Sequence, residues 1–421
     1  MIKFLHTADL HLGKVFHEYS LIEDQAAMLE QLGGILKDES YAALLIAGDV
    51  YDRSNPSPEA VTLFSAFLER LHASRPDLAI LILPGNHDSA PRLGFGRELL
   101  AGLGIHIAPE PDQPFQPVVL KQGGETCAFF LLPFLYPGCL SEDGEPVRSQ
   151  GRLAEIAAAR LESTRVRAME AGASLSVLGA HLFTRGGKES ESERIFLGTA
   201  EQVDGTLFQG FDYIALGHLH RFQKALSKGW YSGSPLAYSF DEAAESSAET
   251  KSRGSTPGTV GPADAVGPDQ EKVFLSIELS AGSDPMVTPI PVKLLHRVRR
   301  LQGSFKFFFQ ESAQDPEIRD AEGDFLEISL SDEDLVENPL GLLRPRFPRL
   351  LSIKQGEAVE RLAAADADIP READLSGKRR SPDEDFAEFL TVLYGEADPE
   401  KLSLFRELLA ELPGETQEDD R

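Results

Sequence analysis

The sequence predicts an α/β fold, and three observations lead to that prediction. Short apolar runs alternate with longer stretches that have the apolar spacing of amphipathic helices. Each of these apolar runs ends in a polar turn, several of which contain glycine, a pattern typical of strands that lead into loops. Of the 421 residues, 42% are hydrophobic, which is enough for a sizeable core, and the chain is too long for one ordinary domain.

The first half of the chain supplies most of the predicted elements of a first domain, residues 1–280. Its predicted strands are residues 2–6, 43–47, 79–83, 128–133, 175–180 and 213–216. Its predicted helices are residues 21–36, 58–73 and 152–171. Residues 243–270 contain no Leu, Ile, Phe, Met, Tyr or Trp, so we predict a disordered insertion there. A last strand, Val273–Leu279, follows it.

A smaller α+β unit is predicted for residues 284–354. Apolar alternation at residues 287–292, 298–301, 325–330 and 350–353 predicts its strands, with helical sequence between them. Residues 355–385 are charged and poor in large apolar side chains, which predicts a linker.

Two short amphipathic helices are predicted within residues 386–413. The second begins at Asp398 and Pro399, a helix N-cap followed by proline at the first helical position. The apolar stripes of both helices suit docking to a partner, and they equally suit packing against the body of the protein. The sequence leaves both interpretations open.

The charge balance and the cysteine count exclude several classes of protein. Lys and Arg number 41 against 68 Asp and Glu, and the net charge of -27 argues against a protein that coats nucleic acid through bulk positive charge. A nuclease whose metal ions face the phosphates is not excluded. Two cysteines cannot build a disulfide framework or a cysteine-based zinc site, and they are typical of a reducing compartment.

The apolar runs predict neither a signal peptide nor a membrane span. His6 and Asp9 stand where a signal peptide needs an uninterrupted apolar run, and the later apolar runs are too short to cross a bilayer. We therefore expect a cytoplasmic protein with no membrane partner.

Five short segments carry the chemistry, and each stands where a predicted strand ends. They are Asp9-Leu10-His11, Gly48-Asp49-Val50-Tyr51-Asp52-Arg53, Gly85-Asn86-His87-Asp88, Ala180-His181-Leu182 and Gly217-His218-Leu219-His220. Because the carboxyl ends of strands converge at one edge of an α/β sheet, these segments can meet there. Imidazole, carboxylate and amide oxygen suit divalent ions such as manganese, zinc or iron. Seven such ligands exceed the need of one ion, and with a shared carboxylate they would hold two ions about 3.5–4 Å apart.

Each segment taken alone also has a structural explanation. A single histidine at a strand end is more often structural than catalytic, and Gly85-Asn86-His87-Asp88 can form a tight turn in which Asp88 caps its own loop. Arg53 suits a phosphate contact or a surface salt bridge, and both interpretations stay open. The joint occurrence of all five segments at strand ends is what predicts a metal site.

This ordered set of motifs resembles the calcineurin-like metallophosphoesterases. The segments HTADLHLGK, AGDVYDRSNPSPEA, PGNHDS, DYIALGHLH and GSPLAYSFDE are similar to those of the bacterial SbcD-type DNA nuclease subunits in particular. The close resemblance covers residues 1–241. It implies a two-sheet sandwich flanked by helices, followed by a small α+β capping domain and C-terminal helices. Residues 243–270 depart from the family pattern as an insertion outside the motifs.

The resemblance also implies a role for each motif residue. One metal ion would be held by Asp9, His11 and His220, and the other by Asn86, His181 and His218, with Asp49 bridging the two. His87 would contact the scissile phosphate and protonate the leaving oxygen, and Asp52 would pair with His87 and orient it. That pairing makes physical sense, because a neighbouring carboxylate stabilises imidazolium near neutral pH.

The activity and partners implied by the resemblance follow from the same family. The activity is hydrolysis of DNA phosphodiester bonds, as a double-strand exonuclease and a single-strand or hairpin endonuclease, with two divalent ions and manganese as the expected metal. The partners are DNA and an SbcC-type ATPase with a long coiled coil. The nuclease subunit would be a homodimer within a heterotetramer, docked to the ATPase through its C-terminal helices.

The capping unit holds the most concentrated cationic run of the sequence. It contains Lys293, Arg297, Arg299 and Arg300, which suit phosphate contacts or a solvated strand edge that discourages aggregation. Two other functions remain open: a phosphatase or cyclic-nucleotide phosphodiesterase for small molecules, and a scaffold subunit with a vestigial metal centre. The capping unit and terminal helices favour the nuclease over the first, and the complete ligand set favours it over the second.

Overall fold

The computed structural model describes residues 1–108, 110–113, 115–185, 187, 190, 202–242, 272–356, 386–387, 390 and 399–411. The chain divides into two compact units, residues 1–359 and 360–421. The predicted insertion at residues 243–270 lies outside the described residues, as does the predicted linker apart from Gln355 and Gly356. No described helix is long and apolar enough to cross a bilayer.

The elements are numbered in chain order. The strands are β1 (Ile2–Thr7), β2 (Val15–Phe16), β3 (Tyr19–Ser20), β4 (Ala43–Ala47), β5 (Ala79–Leu83), β6 (Ile105–Ile107), β7 (Val118–Gln122), β8 (Glu125–Leu132), β9 (Ser141–Glu142), β10 (Glu145–Pro146), β11 (Leu175–His181), β12 (Tyr213–Gly217), β13 (Gln223–Leu226), β14 (Gly229–Tyr231), β15 (Val273–Leu279), β16 (Met286–Pro291), β17 (Val298–Gly303), β18 (Phe325–Leu330) and β19 (Leu350–Lys354). The α-helices are α1 (Ile22–Ile35), α2 (Pro58–Ser74), α3 (Ala90–Leu93), α4 (Arg97–Ala101), α5 (Gln150–Glu170), α6 (Phe305–Phe309), α7 (Pro316–Ala321), α8 (Pro339–Leu343) and α9 (Pro399–Glu411).

Two six-stranded sheets form the body of the first unit. The first has the order β16-β15-β1-β4-β5-β6 and the second the order β13-β14-β12-β11-β8-β7. The central strands run parallel in each sheet, β1 with β4 and β5, and β8 with β11 and β12. Parallel strands are buried on both faces, so their sequences are mostly apolar. The predicted strands and helices of the first half are confirmed, with ends shifted by three residues or fewer.

The sheets pack face to face, and helices cover their outer faces. Between the sheets, Phe4 of β1 and Phe129 of β8 meet edge to face with ring centroids 5.2 Å apart. Helices α1 and α2 bury their apolar faces with side chains of the first sheet, and α5 with those of the second. The predicted two-sheet sandwich flanked by helices is therefore confirmed. Both parallel sets of strands direct their carboxyl ends to one rim.

One predicted strand belongs to a different sheet. The apolar alternation of residues 287–292 predicts a strand of the capping unit, and that assignment is wrong. Met286–Pro291 pairs antiparallel with β15 and forms an edge of the first sheet. A short turn joins the two strands, and Gly282 within it has a φ of 75°. So short a connection favours an antiparallel neighbour over a new sheet.

The capping unit contains a parallel three-stranded sheet in the order β17-β18-β19. Its own apolar cluster includes Leu301, Phe308, Ile328 and Phe347. Polar contacts attach it to the body, among them His296 Nδ1, which lies 3.1 Å from Asp24 Oδ1 on α1, and the Tyr19 hydroxyl on β3, which donates to the carbonyl O of Pro348 at 2.5 Å. The capping unit thus rests on α1 and on the β2–β3 hairpin.

In the second unit, α9 begins at Pro399, beside the predicted N-cap. The rings of Phe386 and Phe405 stack with centroids 4.0 Å apart. This contact joins the two segments for which terminal helices are predicted. Most residues of the first of these helices lie outside the described part of the chain.

Candidate metal centre

The metal ligands predicted from sequence come from the carboxyl ends of strands in both sheets. Asp9, Asp49 and Asn86 follow β1, β4 and β5 of the first sheet. His181 ends β11, and His218 and His220 follow β12, in the second sheet. Because the two sheets pack face to face, their rims bring these loops and strand ends together.

One cluster consists of Asp9, His11 and His220. Each contributes a potential ligand atom, and the three atoms lie within 4.8 Å of one another. The Nε2 atoms of His11 and His220 are 3.2 Å apart. All three side chains are buried. This is the set that the sequence predicts for one ion.

A second cluster consists of Asn86, His181 and His218. Asn86 Oδ1 lies 2.9 Å from His181 Nε2 and 3.0 Å from His218 Nδ1, and the two ring nitrogens are 3.3 Å apart. This is the set predicted for the other ion.

Asp49 lies between the clusters. Its Oδ2 is 3.6 Å from His11 Nε2 and 3.5 Å from His181 Nε2, so it faces one histidine of each cluster. Its Oδ1 accepts a hydrogen bond from the main-chain N–H of His87 at 2.8 Å. Burial alone would raise the pKa of Asp49, but the nearby His181, His87 and His11 outweigh burial and lower it. The position matches the predicted bridging carboxylate.

The chemistry of these donors fits divalent cations. His181 Nδ1 donates to the carbonyl O of Ala47 at 2.9 Å, so in the neutral ring Nε2 carries a lone pair, and that lone pair faces the Asn86 carbonyl oxygen. Burial lowers the pKa of His11 and of His218 to about 3, which keeps both rings neutral near pH 7. Lone pairs and carboxylates that converge in this way repel one another unless a cation lies between them.

Four of the predicted ligands have a strained backbone. Asp9, His11, Asp49 and His218 have φ values of 54°, 43°, 49° and 107°, and they are four of the seven non-glycine residues with positive φ in the described chain. Such conformations cost of order 1–3 kcal/mol each and persist where the surroundings enforce them. Strain of this kind is concentrated at functional sites, and here it aims the ligands at one point.

Two motif glycines allow the loops to approach each other closely. A Cβ atom at Gly85 would lie 2.1 Å from Asp49 Oδ1, and one at Gly48 would lie 2.1 Å from His181 Nδ1. Gly48 also has a φ of 96°, which other residues rarely adopt. The site therefore requires glycine immediately before Asp49 and immediately before Asn86.

His87 and Asp52 are in contact, but not through the group that the resemblance implies. His87 Nδ1 donates to the main-chain carbonyl O of Asp52 at 2.8 Å. The Asp52 carboxylate instead lies 2.7 Å from Lys14 Nζ and 3.4 Å from His11 Nδ1. Burial would raise the pKa of Asp52, but His11 and Lys14 lower it. The main-chain bond fixes the orientation of the His87 ring.

Asp88 closes the turn and also holds a neighbouring loop. Its carboxylate accepts hydrogen bonds from the N–H groups of Gly85 at 2.9 Å, Val50 at 3.0 Å and Tyr51 at 2.9 Å. Burial and the nearby Asp49 raise the pKa of Asp88 to about 7. The residue therefore ties the Asn86 loop to the Asp49 loop.

The predicted phosphate-contacting residues lie apart from the ligand clusters, on the rim and in the capping unit. The Arg53 side chain is 78% exposed, with Nε 3.7 Å from Asp52 Oδ2. Lys293 is exposed. The three arginines of the capping unit have carboxylate neighbours: Arg297 with Asp320 at 3.6 Å, Arg299 with Asp320 at 2.5 Å and Asp324 at 2.7 Å, and Arg300 with Glu327 at 2.9 Å.

Sequence reasoning misses Glu242 and Lys272. Glu242 Oε1 lies 3.3 Å from His220 Nδ1, and Lys272 Nζ lies 2.6 Å from Glu242 Oε2. Glu242 ends the segment GSPLAYSFDE that carries part of the family resemblance, but no periodicity or spacing assigns it a role. The Glu242–Lys272 contact joins residues on either side of the predicted insertion, so it becomes visible only in the structure.

Comparison with known proteins finds a matching family and a similar curated protein. The family model described as calcineurin-like phosphoesterase matches residues 2–222. The chain is similar to the SbcD component of the nuclease SbcCD of Staphylococcus epidermidis, with 28% identity over 360 residues, 84% of this chain and 85% of that protein.

Two solved structures share a more distant similarity. The calcineurin-like phosphoesterase YfkN of Bacillus subtilis is 13% identical, with 70% of this chain and 92% of that one covered and a TM-score of 0.35. A dimetal phosphatase of Danio rerio is 12% identical, with 69% and 99% covered and a TM-score of 0.35. Similarity of this degree supports no inference about substrate.

Proposed function

The chain belongs to the calcineurin-like phosphoesterase family, and from that premise we propose that it is the metal-dependent DNA nuclease subunit of an SbcCD-type complex. The observation that carries the proposal is the convergence of seven donor side chains from both sheets on one rim. The similarity to the Staphylococcus epidermidis nuclease component, over most of both chains, supports DNA as the substrate. The proposed activities are double-strand exonuclease and single-strand or hairpin endonuclease.

The proposed cofactor is a pair of divalent ions, with manganese as the expected metal. Asp9, His11 and His220 would hold one ion, Asn86, His181 and His218 the other, and Asp49 would bridge them. Bound ions of this kind neutralise the non-bridging phosphate oxygens and lower the pKa of water.

His87 is the proposed general acid. Its Nδ1 is anchored on the Asp52 carbonyl, so a proton on Nε2 can be donated to the departing sugar oxygen while the ring stays in place. Its main-chain N–H binds Asp49, which couples the position of the acid to the bridging carboxylate. General acid catalysis of this kind contributes about 10²–10⁴-fold to a rate.

DNA would reach the site along the rim and the capping unit. Lys293, Arg53 and Arg297 are the more available of the proposed phosphate contacts because their side chains are exposed. Arg299 and Arg300 remain proposed contacts, but the carboxylates beside them favour a structural role, most strongly for Arg299, whose side chain is 12% exposed.

The proposed partner is an SbcC-type ATPase bound through the C-terminal helices, in the cytoplasm. Truncation after Lys378 should leave metal-dependent nuclease activity and abolish copurification with the ATPase. Copurification of the truncated chain would show that the docking assignment is wrong.

A homodimer is proposed within that complex. Phe95 and Leu99, on and beside α4, are 86% and 81% exposed, and such large apolar side chains are typical of a surface that another chain covers. Phe95→Asp with Leu99→Asp should therefore convert a dimer to a monomer in sedimentation equilibrium. An unchanged mass would remove this face from the proposal.

The activity is tested by comparing a linear DNA duplex, a DNA hairpin and p-nitrophenyl phosphate esters, each with added manganese. The nuclease predicts turnover of both DNA substrates. Turnover of the esters alone would identify a small-molecule phosphatase or cyclic-nucleotide phosphodiesterase. Binding to the ATPase with no turnover of any substrate would identify a scaffold subunit.

A further inference from the structure

A buried ion pair lies directly behind the metal ligand His220. Glu242 and Lys272 are both buried, and Lys272 Nζ donates to Glu242 Oε2 at 2.6 Å. The two residues are 30 positions apart in sequence, and they are the described residues on either side of positions 243–271.

Both members of the pair contact His220. His220 Nδ1 donates to Glu242 Oε1 at 3.3 Å, and Lys272 Nζ donates to the main-chain carbonyl O of His220 at 3.1 Å. The opposite ring nitrogen, Nε2, faces His11 Nε2 at 3.2 Å. With its proton on Nδ1, the ring directs the Nε2 lone pair toward the cluster of Asp9, His11 and His220.

The surroundings hold the carboxylate in place. Ser239 Oγ donates to Glu242 Oε1 at 2.9 Å, and the main-chain N–H of Tyr238 donates to Oε2 at 3.3 Å. Lys272 Nζ also donates to Ser234 Oγ at 2.9 Å.

Fold stability alone does not account for such a pair. Removing two charges from water is costly, and a well-packed apolar pair of similar volume is often as stable or more so. A carboxylate behind a histidine, however, fixes the tautomer and orientation of the ring and raises its basicity toward a metal ion, which is worth about 10–100-fold in metal affinity.

We propose that Glu242 is a positioning residue for His220, and that Lys272 holds Glu242 in place through their ion pair. The pair thereby sets the affinity of one of the two metal positions, the one formed by Asp9, His11 and His220. The other position is formed by Asn86, His181 and His218. This inference rests on the metal centre of the proposed function and does not depend on DNA as the substrate.

The test is a manganese titration of the full chain, with free Mn²⁺ followed by electron paramagnetic resonance. The wild-type protein should bind two ions. Glu242→Gln should weaken one of them by about 10–100-fold and leave the other unchanged. Lys272→Arg, which keeps the positive charge, should retain both affinities. Equal weakening of both ions, or no change in either, would overturn the inference.

The matched control is Glu327→Gln in the capping unit. Glu327 is a buried carboxylate that pairs with the exposed Lys354 at 2.9 Å, so this variant also removes the charge of a buried, ion-paired carboxylate but should leave both manganese affinities unchanged. If Glu327→Gln weakens manganese as Glu242→Gln does, the effect is general destabilisation and the inference is wrong.

A milder variant covers the case in which Glu242→Gln does not fold. Ser239→Ala removes one hydrogen bond to Glu242 Oε1. It should weaken binding of the same single ion by a few-fold, and unchanged affinities would overturn the inference.

The titration also separates this inference from the proposed function. A wild-type protein that binds two ions yet cleaves no DNA contradicts the nuclease only.

Discussion

The metal pocket and strand β17 of the capping unit both concentrate charged and polar side chains, and they arrange them in opposite ways. On β17 the arginines face carboxylates, with Arg299 2.7 Å from Asp324 and Arg300 2.9 Å from Glu327. In the pocket, potential metal ligands face one another, as His11 Nε2 and His220 Nε2 do at 3.2 Å. Charges that pair with one another within the protein need no added ion. Lone pairs that are directed at one another are stabilised by a cation between them, so the pocket is the region suited to binding cations.

Replacement of the carboxylate between the two clusters should have the largest effect. Asp49→Ala removes the group that faces both His11 and His181, so manganese binding at both positions and DNA cleavage should be lost. Because bound ions contribute several kcal/mol to such reactions, we expect a fall in turnover of about 10³-fold or more.

The control for Asp49→Ala is Asp320→Ala. Asp320 is a carboxylate of the capping unit that pairs with Arg299, and its loss should leave manganese binding intact. Equal loss of manganese in the two variants would erase the distinction between the pocket and the capping unit.

His87→Gln separates metal binding from proton transfer within the pocket. Cleavage of DNA should fall by about 10²–10⁴-fold while both manganese affinities persist, because His87 is not among the predicted ligands. A p-nitrophenyl phosphodiester tests the role directly, since its leaving group departs without a proton. The variant should lose much less activity on that ester, and an equal loss on both substrates would contradict the general-acid role.

A buried histidine outside the pocket predicts how the body responds to acid. Burial lowers the pKa of His6 to about 3, and its ring contacts the Tyr213 hydroxyl at 3.0 Å. The unfolded chain takes up this proton near pH 6.5, well above the folded protein. Stability is therefore highest above pH 6.5 and falls as the pH drops from 6.5 toward 3, by about 1.4 kcal/mol per pH unit for this group.

His6→Gln should reduce that slope. The measurement is urea unfolding of the metal-free protein at a series of pH values, compared with the wild type at each pH. Buried ligand histidines contribute to the total slope in both proteins, so the difference between the two curves isolates His6. Parallel curves would show that His6 is not responsible for the acid sensitivity.

The contrast between the two regions also explains what the sequence could predict. The strands that precede Asp9, Asp49 and Asn86 are short, mostly apolar runs followed by polar residues, so strand, strand end and ligand type can all be read locally. The strand Met286–Pro291 has a clear alternation, but alternation is the same in either sheet, and its assignment to the capping unit is therefore wrong.

Contacts made by the main chain or across long loops are beyond sequence reasoning. His87 bonds the carbonyl of Asp52, and a carbonyl is present in every residue, so no residue type reveals it. The Glu242–Lys272 pair depends on how the chain closes around positions 243–271. The roles of single arginines on β17 depend on which carboxylates the capping sheet brings beside them.

The smallest effect should come from the capping unit, where one cationic side chain is exposed and another is paired with carboxylates. Lys293 is exposed, and Lys293→Gln should weaken DNA binding a few-fold and reduce by about one the slope of log affinity against log salt. Arg299, which is paired with Asp320 and Asp324, is the matched control: Arg299→Gln should lower the melting temperature and leave that slope unchanged. Fluorescence anisotropy of a labelled duplex at several salt concentrations, with thermal unfolding of each variant, measures both quantities. A reduced salt slope for Arg299→Gln would mean that DNA displaces these carboxylates, and the arginines of β17 would then count as phosphate contacts after all.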